Sequence, residues 1–192
     1  MLLINIEDFK ETIQHKNSKE GISESCSFLA YKIDDNGLSQ HLGFKNGQIN
    51  QTDYFLVNNE NTKAQFLELT DLSDHIKECM LAESVMKRDS ESFAATLGKS
   101  PDKARKIVNG KIWSEVLGEF KNKWMGSIAI IERYCRRQNY KHDLHYSLLI
   151  VLKDNIDSRE IESLALKLSG MMGKVHVCNT NNIQNLLLIK LT

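Results

Sequence analysis

Residues 52–77 constrain the fold of this chain more than any other stretch, and they read TDYFLVNNENTKAQFLELTDLSDHIK. Two apolar runs, at 52–58 and 64–70, flank a polar segment rich in asparagine, which predicts a β-hairpin. From residue 71 onward apolar residues recur at helical spacing, so a helix should follow the second strand directly. Each predicted strand carries one carboxylate, Asp53 on the first and Glu68 on the second.

The residues before this stretch predict more of the same sheet. Ile6, Phe9 and Ile13 recur near helical spacing, so we expect a short amphipathic helix over 6–16. Apolar runs at 26–33 and 38–45 predict two strands, separated and followed by turns that end in Asn-Gly. Together with 52–58 and 64–70, they predict a four-stranded antiparallel meander.

The residues after it alternate between helical and strand patterns. We expect helices over 71–87, from Ser100-Pro101 to Asn109-Gly110, over 111–137 and over 158–172. We expect strands at 146–153 and 174–178, and a last edge strand at 186–191. This order predicts an α/β protein with a mixed sheet, in which helix, strand, helix and strand follow the meander.

Composition indicates a globular protein and limits its partners. The 192 residues suffice for a single domain. Lys plus Arg and Asp plus Glu are 25 each, so zero net charge gives no global signature of nucleic-acid binding. Four cysteines without a CxxC pair suit reduced thiols, and no run is long enough to cross a membrane. We therefore expect a cytoplasmic protein.

The two carboxylates form a candidate metal site. If the hairpin pairs as its turn suggests, Asp53 lies close to Glu68 on the neighbouring strand. Two carboxylates on one face can hold a hard divalent cation such as Mg²⁺ through oxygen ligands. Such a cation activates water and stabilises negative charge on a phosphodiester. Alternatively, the two acids are ordinary strand residues that are solvated or hydrogen-bonded.

This arrangement resembles the PD-(D/E)XK nuclease superfamily, which has the restriction-endonuclease-like fold. The matching residues are Thr52-Asp53-Tyr54 and Glu68-Leu69-Thr70. The order of elements also resembles the family, closely over residues 6–80 and more loosely over 124–178. Residues 86–110 would then be an insertion. The resemblance implies Mg²⁺-dependent hydrolysis of a phosphodiester in DNA or RNA, with Asp53 and Glu68 as metal ligands.

The chain departs from the family pattern at Thr70, which stands where the family has a lysine. That lysine orients the attacking water and neutralises charge on the phosphate. Lys63 and Lys77 are candidate substitutes, and Lys77 is preferred because relocated lysines on the following helix occur in this superfamily. Glu7 or Glu11 would match the acid that the family carries on its first helix.

Basic residues near the end of the long helix form a candidate nucleic-acid surface, with Tyr134 and Tyr140 among them. They are Lys121, Lys123, Arg133, Arg136, Arg137 and Lys141. A second basic cluster lies in the predicted insertion, at Lys99, Lys103, Arg105 and Lys106. In both places the alternative is an ordinary solvated helix face.

A protein of another class also fits these observations. Thr70 and the neutral net charge favour a catalytically inactive protein that keeps the nuclease fold and binds a protein partner. It would be an immunity or inhibitor protein, or a subunit of a phage-defence or mobile-element system. A further alternative is a homodimer formed through the long apolar helix.

Overall fold

A computed structural model of the chain describes residues 4–15, 24–34, 36–45, 47–58, 60–140, 143–153, 156–169 and 173–188. The strands are β1 Lys10–His15, β2 Glu24–Lys32, β3 Tyr54–Val57, β4 Lys63–Thr70, β5 His145–Leu152 and β6 Lys174–Asn179. The α-helices are α1 Leu38–His41, α2 Ser73–Arg88, α3 Ser90–Leu97, α4 Pro101–Ile112, α5 Ser114–Arg137 and α6 Ser158–Leu168. Two 3₁₀ helices lie at Ile6–Phe9 and Thr180–Asn185.

β4 is the strand at which one six-stranded sheet changes from antiparallel to parallel. The strands lie side by side in chain order. The pairs β1–β2, β2–β3 and β3–β4 are antiparallel, and Tyr54 of β3 lies opposite Leu67 of β4. β5 pairs with β4 in parallel along its whole length, ending with Thr70 opposite Leu152, and β6 continues the parallel half. The predicted α/β class with a mixed sheet is confirmed.

The long helices pack on one face of this sheet. Alternate residues of β4 divide the two faces, because Phe66 belongs to the larger hydrophobic cluster and Leu67 to the smaller. Buried helix residues of the larger cluster include Ile76 of α2, Phe120 and Trp124 of α5, and Leu164 of α6. The smaller cluster, on the other face, is joined by Ile183 of the C-terminal 3₁₀ helix. The side chain of Glu68 shares the face of Phe66 and therefore points toward the helices.

The predicted helix over 6–16 is wrong. Ile6–Phe9 forms one 3₁₀ turn, in which the Asn5 side chain accepts a hydrogen bond from the Glu7 N–H, and the chain then continues as β1. β1 pairs with β2, with Thr12 opposite Leu29, and buries Ile13 on the smaller-cluster face. Ladder hydrogen bonds to a later strand thus outweigh a helical pattern of three apolar residues.

The predicted strand over 38–45 is also wrong. Residues Leu38–His41 form α1, which buries Leu38 in the larger cluster. β2 pairs directly with β3, with Tyr31 opposite Phe55, so the sheet has no room for a strand between them. The meander of four antiparallel strands therefore consists of β1 to β4.

Predictions in the second half of the chain hold with shifted boundaries. The strands predicted at 146–153 and 174–178 are β5 and β6, and the helices predicted at 71–87 and 158–172 are α2 and α6. Residues 170–172 lie outside the described residues. Asn109-Gly110 does not end α4, which runs to Ile112. Trp113 separates α4 from α5, which begins at Ser114.

The predicted edge strand at 186–191 is not found in its described part, residues 186–188. The Gln65 side chain ties this part to β4, because its amide nitrogen donates to the Leu186 carbonyl and its oxygen accepts from the Leu188 N–H. Residues 189–191 lie outside the described residues. No helix in the described part of the chain is long and apolar enough to span a membrane.

Glu83 joins three helices and the Trp113 junction in a partly buried polar cluster. Its carboxylate accepts hydrogen bonds from the Asn109 amide and the Trp113 indole, each at 3.3 Å. It also pairs with Lys167 of α6 at 3.1 Å and with Lys87 at 3.4 Å. Although burial raises the pKa of Glu83, Lys167, Trp113 and Lys87 together lower it below its ordinary value. The cluster fastens α2, α4 and α6 to one another around Trp113.

We expect Glu83→Gln to lower the free energy of unfolding at pH 7 by about 2 kcal/mol, the usual worth of hydrogen bonds to a charged group. Because the folded pKa of Glu83 is depressed, this stabilisation is present above about pH 4.5 and is lost as the pH falls through the folded value. Urea denaturation at pH 7 and pH 3 measures the difference. Glu162→Gln, on the exposed side of α6, is the matched control and should change stability little at either pH.

Candidate functional site

Asp53 and Glu68 meet on neighbouring strands, as the hairpin predicts. Tyr54 lies opposite Leu67, so one step further along the same register places Asp53 beside Glu68. The Asp53 carboxylate accepts a hydrogen bond from the N–H of Leu69 at 2.7 Å. Asp53 also raises the pKa of Glu68 by its negative charge, second only to burial. The structure therefore brings together the two predicted metal ligands.

Glu68 is a buried carboxylate with one free oxygen. The residue is 2% exposed and lies on β4 between Phe66 and Thr70, which share its face. Its Oε1 accepts a hydrogen bond from the ammonium of Lys123 on α5. Its Oε2 is buried and has no hydrogen-bond partner in the described part of the chain. An acceptor of this kind is costly to bury unless a donor or cation reaches it.

Lys123 supplies the positive charge of the site. Its ammonium pairs with Glu68 and also with Glu119, one helical turn earlier on α5, at 3.0 Å. Although burial lowers the pKa of Lys123, the two carboxylates raise it. Glu68 and Glu119 thus share one ammonium, and Asp53 adds a third carboxylate beside Glu68. When all four groups are ionised, the site carries a net charge of about −2.

Burial and the neighbouring charges together determine the pKa of Glu68. Burial raises its pKa well above the usual range, and the charges of Asp53 and Glu119 raise it further. Lys123 lowers it but does not cancel the other effects. Without another cation the site therefore has an excess of negative charge around a poorly hydrated carboxylate.

A close approach between α5 and the segment before β3 fixes Asp53. A Cβ atom on Gly126 would lie 1.7 Å from the carbonyl oxygen of Asn50, so residue 126 has no room for a side chain. The next residue, Ser127, accepts a hydrogen bond from the Thr52 N–H at 2.8 Å and shares a second hydrogen bond with the Thr52 hydroxyl at 2.9 Å. Thr52 and Ser127 are both fully buried. Asp53 follows immediately, and its own carbonyl accepts from the Ile33 N–H at 2.8 Å.

Lys77, the predicted assisting lysine, lies in another cluster. Its ammonium pairs with Asp74 at 3.6 Å and with the buried Glu160 of α6 at 3.9 Å. Glu160 also accepts a hydrogen bond from Ser73. The structure therefore does not place Lys77 against Asp53 or Glu68, and the position predicted for it is wrong. The lysine that reaches Glu68 is Lys123, which the sequence pattern assigns to a nucleic-acid surface.

The other predicted substitutes take different places. Lys63 is exposed at the first position of β4. Glu7 accepts a hydrogen bond from the Tyr31 hydroxyl at 2.7 Å. Glu11 lies on a strand, not a helix, and pairs with Lys32 at 3.1 Å. Of the two acids proposed for the first helix, Glu7 therefore lies on the 3₁₀ turn Ile6–Phe9 and Glu11 on β1.

The basic residues of α5 divide into structural and exposed groups. Arg133 lies over the Phe44 ring at 4.8 Å, and Arg137 donates to the carbonyls of His41 and Leu42 at the end of α1. Lys121 and Arg136 are exposed. Lys141 lies outside the described residues. The predicted surface is thus reduced, since Lys123 is in the carboxylate site and Arg137 fastens α1.

Comparisons with known proteins found no matching family model, curated protein or solved structure. Within the described residues, no group of three or more His, Cys, Asp and Glu side chains is arranged to hold a metal ion. A cation at this site would therefore rest on the two carboxylates of Asp53 and Glu68, with water completing its coordination.

We expect Lys123→Met to lower the free energy of unfolding by about 3 kcal/mol at pH 7, because it leaves the Glu68 carboxylate buried without its cation. The double variant E68Q/K123M should be more stable than K123M by at least about 1 kcal/mol, since the glutamine carries no charge. Urea denaturation of the wild type and of the single and double variants measures this coupling. A coupling free energy of zero over the wild type, the two single variants and the double variant would show that the ion pair contributes nothing.

Two glycines on α5 give a matched test of the close approach. Gly126→Ala should destabilise the protein by at least about 2 kcal/mol, because the new methyl group forces the Asn50 backbone away from α5. Gly118→Ala has open space at its Cβ and should stabilise the helix by up to about 1 kcal/mol. Urea denaturation compares them, and a loss of stability in both variants would contradict the assignment.

Proposed function

We propose that the chain is a metal-dependent phosphodiesterase that acts on nucleic acid at a site formed by Asp53, Glu68 and Lys123. The observation that carries the proposal is the buried, unpartnered Oε2 of Glu68, which stands beside a second carboxylate and on the same side chain that Lys123 contacts. Buried acceptors are usually hydrogen-bonded, so a bound cation would supply the partner that this oxygen lacks.

The residues present suit a divalent cation. Mg²⁺ favours oxygen ligands and binds through one or two carboxylates while it keeps several waters. Carboxylates outnumber the one ammonium at the site, which favours a cation there. Asp53 and Glu68 would hold the ion, and the bound metal would activate water and stabilise charge on the phosphate.

Lys123 supplies what Thr70 lacks. In the superfamily that the sequence resembles, a lysine on the strand of Glu68 orients water and neutralises phosphate charge, but Thr70 cannot carry charge. The ammonium of Lys123 reaches Glu68 from α5 on the same face of the sheet. Glu119 holds this ammonium from the other side at 3.0 Å, so the charge stays at the site. Lys123 therefore takes the role of the missing lysine.

The order of the elements supports a restriction-endonuclease-like core. Asp53 precedes one strand of an antiparallel meander, Glu68 lies on the next, and a parallel strand follows after helices. That is the order expected from the resemblance, except that a 3₁₀ turn and β1 stand where a first helix was expected. Residues 86–110, the proposed insertion, hold the end of α2, all of α3 and most of α4.

A catalytically inactive protein that binds a protein partner is the second candidate. The observation in its favour is that Lys123 is already paired with two carboxylates, as in a structural salt-bridge cluster. Such a protein would be an immunity or inhibitor protein, or a subunit of a defence system. A stable stoichiometric complex with the product of a neighbouring gene, without metal-dependent cleavage by the free protein or the complex, would support it.

We expect cleavage of single- or double-stranded DNA or RNA in Mg²⁺ or Mn²⁺, reduced at least about 100-fold by Asp53→Asn, Glu68→Gln or Lys123→Met. Lys77→Met is the matched control, because Lys77 is also a paired lysine near a buried glutamate but lies in another cluster. Nuclease assays on folded variants measure the effect. Activity that survives both carboxylate substitutions would reject this site.

Metal binding separates the roles of these residues. Calorimetric titration with Mn²⁺ should show weaker binding for Asp53→Asn and Glu68→Gln. Lys123→Met should instead bind Mn²⁺ more tightly than the wild type, because a positive charge that repels the cation is gone. Weaker Mn²⁺ binding by Lys123→Met would contradict the arrangement proposed.

A further inference from the structure

α4 presents a row of lysines to solvent. Lys99 lies just before the helix cap, and Lys103 and Lys106, three residues apart on the helix, share one side of it. All three are exposed, whereas Ala104 is buried on the opposite side. We name Lys99, Lys103 and Lys106 the lysine face.

The lysine face has no counter-charge of its own. Within the described residues none of its three ammonium groups forms an ion pair, and the one acid beside them, Asp102, lies 4.0 Å from Arg105 instead. The segment from Lys99 to Lys111 contains five cations and a single acid, Asp102, in a chain whose net charge is zero. Positive charge is therefore concentrated here and balanced elsewhere.

The fold does not need this charge, since α4 is held by its other side. Ala104 is buried, and the Asn109 amide donates to Glu83. The Ile112 carbonyl accepts a hydrogen bond from the Cys79 thiol of α2. Like charges at helical spacing cost stability slightly, so a row of them without structural use points to an external anion.

The apolar surface nearby is limited. The large apolar side chains exposed on α3 and α4 are Phe93, Leu97 and Ile107, and each is no more than 40% exposed. A membrane or an apolar protein partner would find little to bury on these helices. The lysine face can therefore bind a partner mainly through electrostatic attraction, and a regular polyanion is such a partner.

We propose that the lysine face binds the sugar–phosphate backbone of a nucleic acid whose neighbouring nucleotides reach the Asp53, Glu68 and Lys123 site. This inference rests on the proposed function for its substrate. α4 leads through Trp113 directly into α5, the helix that carries Lys123. A bound strand of several nucleotides would extend from the lysine face toward that site. The insertion thus extends the binding surface beyond the reacting phosphate.

Fluorescence anisotropy with labelled single-stranded and duplex DNA and RNA tests the lysine face, using the whole protein in EDTA so that nothing is cleaved. The triple variant K99Q/K103Q/K106Q should bind at least about 10-fold more weakly at low salt. Its slope of log affinity against log salt should fall by about 2, since each lost phosphate contact removes about 0.7 for a single strand. The matched control K45Q/K63Q/K174Q removes three exposed lysines elsewhere and should bind within about twofold of the wild type.

Equal weakening in both triple variants, or in neither, would overturn the proposal. So would lysine-dependent binding to vesicles containing anionic lipid in the absence of binding to oligonucleotides. Cleavage assays separate this inference from the proposed function. Lysine-dependent binding without any metal-dependent cleavage would retain the surface and reject the phosphodiesterase, whereas cleavage with an unchanged KM in K99Q/K103Q/K106Q would reject the surface alone.

Discussion

Burial of the Glu68 carboxylate is the constraint from which the arrangement around β4 follows. A carboxylate that is 2% exposed needs a cation, and the neighbouring strands supply none at this position. The cation comes from α5, so this helix must lie with Lys123 over β4. The next residue, Trp124, then meets Phe66 ring edge to face at 5.6 Å between centroids. Charge compensation and aromatic packing thus fix the same rotation of α5.

The same helix also determines where Asp53 lies. The chain before β3 passes close to α5, where Gly126 leaves room for the Asn50 carbonyl and Ser127 binds the backbone of Thr52. Both carboxylates of the site therefore take their positions from α5 through contacts that are about one helical turn apart. A single long helix converts two neighbouring strands into a defined site, which explains why β3 can be as short as Tyr54–Val57.

The sequence predicted features that depend on neighbouring residues and missed those that depend on contacts between distant ones. The alternation and turn around residues 52–77 predicted the meeting of Asp53 and Glu68, because a hairpin is a local structure. The helix predicted over 6–16 is wrong because β1 is hydrogen-bonded to β2 and buries Ile13 against residues that are distant in the sequence. Lys123 was missed as the partner of Glu68 because 55 residues separate them. Its spacing in the sequence is that of an ordinary solvated helix lysine, and only the packing of α5 distinguishes it.

The exchange of a strand lysine for a helix lysine has a physical consequence for the proposed enzyme. A lysine at position 70 would be fixed to the strand of Glu68, whereas Lys123 stands on a different element and shares its ammonium with Glu119 on its own helix. A metal ion bound at Oε2 of Glu68 would leave Lys123 its contact with Glu119. The buried Oε2 offers the entering cation a ligand that Lys123 does not occupy. In the proposed enzyme, β4 would carry no cation at Thr70, and the ammonium of Lys123 on α5 would stand at the same carboxylate instead.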